Sequence, residues 1–274
     1  MEAGCHFGHQ TTRWNPKMKP FIYSARDRIH IFDLVQTKTC LEEAGKYLAE
    51  VVKENKQIVF VGTKRQSQDL VVEIAKKLNL PYVTERWIGG LITNWSEVSQ
   101  RIKKMIDWTN LRETNGFTDR TKRELVLIDR EIAKLKRHFD GVSTLTNVPA
   151  AIIVTDAHKN VSALLEAKRA GVKVVAIADT NANPDLIDYP IPANDDAVKS
   201  VELILNYLAD AIIEGRAQVA KPQKVLKVEN ETIEKVPKES EKVVDKKVKS
   251  QKTQKLVAQK AQKIVKEVQK KGVK

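Results

Sequence analysis

Four short apolar runs rich in β-branched residues punctuate this chain: QIVFVGT at 57–63, the brief PYVT at 81–84, AAIIVTD at 150–156 and VKVVAIAD at 172–179. Each has strand length, and each is followed by a turn or by apolar residues at helical spacing. QSQDLVVEIAKKLNL (66–80) and NVSALLEAKRAG (160–171) carry that spacing, the second closing on Gly171, where a helix end accepts a left-handed residue. DDAVKSVELILNYLADAIIEG (195–215) reads as a long amphipathic helix with acids in its first turn. Near-continuous apolar strands must be covered on both faces. The alternation therefore predicts an α/β fold, a doubly wound and mostly parallel sheet.

The rhythm breaks between about residues 96 and 140. Val98, Ile102 and Met105, then Leu125, Ile128, Ile132, Leu135 and Phe139, recur at alternating steps of three and four, which is heptad spacing. Two such arms around a turn at Asn115-Gly116 predict an antiparallel helical (coiled-coil) hairpin over 97–139, inserted in an α/β domain made of 1–96 and 140–217. From 218 to 274 the chain is lysine-rich and lacks aromatic residues. Such a basic C-terminal tail buries too little apolar surface to offset its ordering entropy, so disorder or partial helix is expected.

Charge divides unevenly. The net +13 separates into +4 over 1–96, +4 over 97–138, −5 over 139–217 and +10 over 218–274. A basic first half and tail suit a phosphate backbone, and an acidic third quarter suits other partners. No apolar run approaches the length of a membrane span, so no membrane partner is expected. Cys5 and Cys40 are too few for a disulfide framework. With no secretory leader pattern in MEAGCHFGHQ, the expected location is the cytoplasm or an organelle matrix.

Enzyme chemistry finds little footing. No G-x-G-x-x-G follows a strand, and GTKRQS after the first strand lacks the second glycine and the Lys-Ser/Thr pair of a phosphate-binding loop. Asp156, Asp179 and Asp195 stand at strand ends, where open α/β sheets bind ligands, and frame the alternative of a small-molecule or phosphosugar-binding enzyme. Asp and Asn after strands also serve as caps and turn residues. His158 has no nucleophile signalled beside it. Cys5, His6 and His9 are weak metal candidates, because no second cluster supplies a fourth ligand; no cofactor is expected. The stretch GCHFGHQTTRWNPKMKPFIY (4–23) instead combines stacking faces (Phe7, Trp14), cations (Arg13, Lys17, Lys19, and Arg26 just beyond) and hydrogen-bonding groups (His9, Gln10, Asn15). That mixture fits RNA, with Pro16 and Pro20 expected to keep the segment extended.

The block GCHFGHQTTRWNPKMKPFIYSARDRIHIFDL, followed in order by FVGTKRQ (60–66), ERWIGGLITNW (85–95) and IADTNANPDLIDYPIPANDDAVKSVELI (177–204), resembles the small-subunit ribosomal protein two family over about residues 2–215. The resemblance implies a Rossmann-like domain with a coiled-coil hairpin and no catalytic activity. It implies a place at the head-body junction of the small ribosomal subunit, with small-subunit ribosomal RNA, neighbouring ribosomal proteins and ribosomal protein one as partners, and no homo-oligomer. The expected RNA-facing or site-shaping residues are His9, Gln10, Arg13, Trp14, Asn15, Lys17, Lys19, Arg86, Trp87 and Asn94, with Lys103 and Lys104 on the hairpin. Trp14 and Trp87 could equally be core residues. Ala193 stands where the family favours glycine, so a left-handed turn there would be strained.

Overall fold

The structure, a computed structural model, describes residues 1–233 except 115 and 119, and side chains as far as residue 218. The chain forms two compact units, Met1–Lys221 and Pro222–Lys274. Of the second, only helical backbone over 222–233 is described, so the expectation for the tail lies largely outside the described residues.

The first unit begins with an antiparallel sheet of β1 (Phe7–Gln10), β2 (Ile22–Arg26) and β3 (Ile29–Phe32), in the order β1-β3-β2. Asp27 and Arg28 join β2 to β3 at φ 52° and 63°, a pair of left-handed residues whose twist matches a two-residue hairpin. Between β1 and β2 the chain is not extended. Pro16–Phe21 form a 3-10 helix whose first turn is capped by Asn15, its side chain accepting from the Lys17 N–H. Proline at the first helical position has a suitable φ and no N–H to leave unpaired, so Pro16 starts this helix and the expected extended segment is corrected.

The main sheet contains β4 (Ile58–Val61), β5 (Tyr82–Val83), β6 (Ala151–Val154), β7 (Lys173–Ala178) and β8 (Tyr189–Pro192). All neighbours are parallel, in the order β5-β4-β6-β7-β8. The helices are α1 (Leu34–Lys53), α2 (Arg65–Leu78), α3 (Trp95–Glu113), α4 (Lys122–Phe139), α5 (Val161–Ala170) and α6 (Val198–Ile233). Successive strand residues point to opposite faces, and the two faces build two cores. Ile58, Phe60, Ile153 and Ile177 pack with Leu48 of α1, Ile74 of α2 and Ile204 of α6. Val59, Val61, Ile152 and Val174 pack with Ile102 of α3, Phe139 of α4 and Leu164 of α5.

β8 and α1 were not expected. Prolines at 190 and 192 argue against a strand, yet edge strands tolerate them, and β8 is an edge. Its Pro192 carbonyl accepts from Thr37 Oγ1 of α1 at 2.6 Å. Ala193 is fully buried and is not among the residues with positive φ, so the expected strain does not arise. α3 and α4 lie against each other, with the Arg112 guanidinium at the end of α3 gripping the Asp129 carboxylate through Nε (2.7 Å) and Nη2 (3.1 Å). α4 opens with a capping box between Thr121 and Glu124. Asn115 of the expected turn lies outside the described residues.

The loop from β5 to α3 has no regular structure of its own, and one carboxylate organises it. Glu166 of α5, 8% exposed, accepts from the Trp87 indole (2.8 Å), the N–H groups of Gly90 (3.1 Å), Ile92 (2.9 Å) and Thr93 (3.0 Å), and the Thr93 hydroxyl (3.1 Å). Burial pushes its pKa up, but the bonds from Thr93, Trp87, Ile92 and Gly90 outweigh that and hold it below the usual glutamate value. Glu166→Gln places an NH2 group where donors converge. It should destabilise the chain by about 1–3 kcal/mol at pH 7, read by urea unfolding. Since the carboxylate's contribution is lost as pH falls through its lowered pKa, the gap from the native chain should narrow on acidification.

Candidate functional site

The carboxyl ends of the parallel strands carry a nest of charges. Lys64 follows β4, Asp156 follows β6, Asp179 follows β7, and Asp195 and Asp196 follow β8. Lys64 Nζ lies 2.8 Å from Asp195, 2.7 Å from Asp196 and 3.5 Å from Asp156. Asp156, Asp179 and Asp195 are buried.

The N-terminal sheet is strapped over this end. The Asn15 N–H donates to the Thr180 carbonyl at 2.7 Å, the Asn194 N–H donates to the Cys5 carbonyl at 3.2 Å, and the His9 N–H donates to Thr180 Oγ1 at 3.0 Å. These bonds aim the His9 ring into the nest: Nδ1 lies 2.9 Å from Asp179, and Nε2 lies 3.5 Å from Asp196. The hydrogen bond to Asp179 raises the imidazole's pKa against its partial burial, and the charges of Asp179, Asp195 and Asp196 add to the rise. Asp195 is pushed up to about 7, first by burial and then by Asp156 and Asp179, with Lys64 opposing. Beside them Asn181 Oδ1 is buried and unpaired.

His9, Asp179 and Asp195 each offer a ligand atom within 4.8 Å of the others. One imidazole and two carboxylates form a set that a divalent cation can take. The sequence-based metal candidates do not assemble in this way. Cys5 is buried in the apolar core, the His6 ring tilts against Phe7, and only His9 reaches other ligand groups. Alternation along the β1 segment sends neighbouring side chains to different sides, which nearness in sequence conceals.

The other expected residues scatter over two regions. Gln10, Arg13 and Lys19 are exposed on the N-terminal block. Trp14 is half-buried against His30, with ring centroids 5.1 Å apart. Lys17 pairs with Asp185. Asn15 Oδ1 is occupied as a cap, and the His9 ring is turned inward to carboxylates. Elsewhere Arg86, Trp87 and Lys104 line one cleft; Trp87 is a core residue, 7% exposed, with its indole N–H given to Glu166. Asn94 precedes α3 without capping it, and Lys103 is exposed on α3 outside that cleft. His158 is exposed. Asp196, part of an NDD run that the sequence offers as further carboxylates, joins the nest, whereas Lys64, Asn181 and Glu166 were missed. FVGTKRQ marked the first, and nothing local sets Glu166 apart from a surface glutamate.

A parallel α/β body whose strand-end groups are paired with one another, carrying a basic N-terminal block and a helical insertion, has the makeup of a binding protein. The family model for ribosomal protein S2 matches residues 1–215. The small ribosomal subunit protein uS2c of Phaeodactylum tricornutum is 48% identical over 79% of this chain and 96% of its own length. The uS2 proteins of Coprothermobacter proteolyticus (48% identical, 79% of this chain and 81% of that one) and Mycobacteroides abscessus (44%, with 78% of each) are similar in the same way. The chain belongs to the ribosomal protein S2 family, a family of structural, non-enzymatic ribosome components.

The nest makes stability depend on pH. His9 contributes most below its unfolded pKa and loses that contribution as pH rises through its raised value. Asp195 ionises in the unfolded chain near pH 4 but in the folded chain only near 7, so it too erodes stability as pH rises between those values. In a metal chelator, the unfolding midpoint should fall from pH 5.5 to pH 8. Asp195→Asn should flatten the fall, and a denaturant series across that range checks both.

Proposed function

We propose that this chain is a structural constituent of the small ribosomal subunit that binds ribosomal RNA at the head-body junction and helps dock ribosomal protein one. Family membership carries the reading, and the distribution of charge supports it. Exposed Gln10, Arg13 and Lys19, the Trp14 ring, and Lys17 near the rim of the N-terminal block form one contact surface for RNA; Arg86, Asn94, Lys103 and Lys104 form a second. Arg26 and Arg28 at the β2–β3 turn are exposed and extend the first surface. Phosphate contacts of this kind position an RNA without reading its sequence. His9, Asn15 and Trp87 act beneath these surfaces by holding the block and the loop in place.

The acidic stretch 139–217 faces neighbouring basic ribosomal proteins, and the chain acts as a single copy in the particle. No helix among the described residues is long and apolar enough to cross a membrane. A role in the ribosome supports a location in the cytoplasm or an organelle matrix. The enzyme alternative is not favoured, because its strand-end carboxylates are occupied: Asp179 by His9, Asp156 and Asp195 by Lys64.

On a sucrose gradient of native lysate the chain should sediment with small subunits. Arg13→Glu with Lys19→Glu, both at exposed positions, should shift most of it to the soluble fraction while leaving the unfolding midpoint unchanged. Retention of the double variant on small subunits would remove the N-terminal block from the RNA contact.

A further inference from the structure

A cleft of about 530 Å³ opens where the β5–α3 loop meets α3 and α4. Its rim carries Arg86, Arg101, Lys104, Lys134 and His138, opposed by the single carboxylate of Glu131. The apolar lining of its floor comes from the half-buried Ile88 and Leu135, backed by Trp87 and Phe139, which show only their edges. Arg112 on α3 and Arg137 on α4 each meet an acid, Asp129 and Glu85; around this cleft four permanent cations from three elements stand beside one carboxylate.

We propose that this cleft seats a single unstacked nucleotide of RNA, its base on the apolar floor and its flanking phosphates on the cationic rim. The inference rests on the RNA-binding reading above and deepens it by naming one subsite. Three observations carry it. The volume lies within the roughly 300–1,000 Å³ range of small-ligand sites. An apolar lining inside an Arg/Lys rim suits a splayed base: the base packs on the apolar side chains while the cations track the backbone. The floor is also rigid before any ligand arrives. Trp87 is fixed through its indole bond to Glu166, Phe139 is 5% exposed, and on the rim Lys104 Nζ sits 4.3 Å from the centre of the Trp108 ring. A preformed plate avoids the ordering cost that weakens binding by flexible side chains. An acidic protein segment would satisfy the rim but would leave the apolar lining unused.

The test uses the full chain and a single-stranded uridine-rich RNA decamer carrying 4-thiouridine, with photo-crosslinked peptides mapped by mass spectrometry. Crosslinks are expected on the peptides holding Trp87 and Phe139. Arg101→Glu with Lys134→Glu, at exposed rim positions, should lower that crosslink at least tenfold. The same charge change at Lys122 and Arg123, outside the cleft, should not. Leu135→Trp fills the floor without altering charge and should remove the cleft crosslink while sparing crosslinks to the N-terminal block, its folding verified by the unfolding midpoint. Unchanged cleft crosslinking in the rim variant, or displacement of the RNA from the cleft by poly-glutamate with the floor variant still crosslinked, overturns the proposal. A native chain that crosslinks RNA only at the N-terminal block overturns this subsite and leaves the RNA reading standing. A native chain that crosslinks nowhere defeats the RNA reading, and this subsite with it.

Discussion

Five donors converge on the Glu166 carboxylate, and much of the molecule hangs on that convergence. The ERWIGGLITN loop has no ladder of its own, so its backbone N–H groups need an acceptor once they are buried. A carboxylate on α5 supplies one that is short, charged and fixed to the sheet. From it follow the seat of Trp87, the starting point of α3, and therefore the place where the helical insertion leaves the α/β body. A neutral residue at 166 would leave several buried donors unanswered at once, and their joint cost exceeds that of any single hydrogen bond.

The strand-end nest follows a different logic. Parallel strands bring their carboxyl ends to one side of a sheet, and in enzymes the groups gathered there face a substrate. Here Lys64 and His9 lie across the carboxylates and tie them to each other and to the N-terminal sheet. The chemistry of a catalytic crevice is thus turned to holding two sheets together, which leaves the basic outer face of the N-terminal block free for contact.

The α/β architecture was legible because periodicity is local: QIVFVGT, AAIIVTD and VKVVAIAD announce β4, β6 and β7, and Gly171 marks the end of α5. β8 was hidden because its two prolines speak against a strand until it is known to be an edge. α1 begins at Leu34, where the N-terminal motif block ends, and no motif or strand run marks the residues that follow. The site was legible only in part, for the same reason. The charge of Arg13 and Lys19 is plain in the sequence and their exposure comes from the fold, but the partners of His9 lie about 170 residues away. Glu166 is one glutamate among many until the fold brings Trp87 to it.

The outer edge of β8 bears on strand addition to the sheet. Pro190 and Pro192 present no amide hydrogen along that rim, and the Pro192 carbonyl is already engaged by Thr37, while β5 at the far side is only two residues long. Neither border of the sheet offers a run of open backbone on which a second polypeptide can nucleate. Both borders are built in the way that natural sheets use to discourage strand addition.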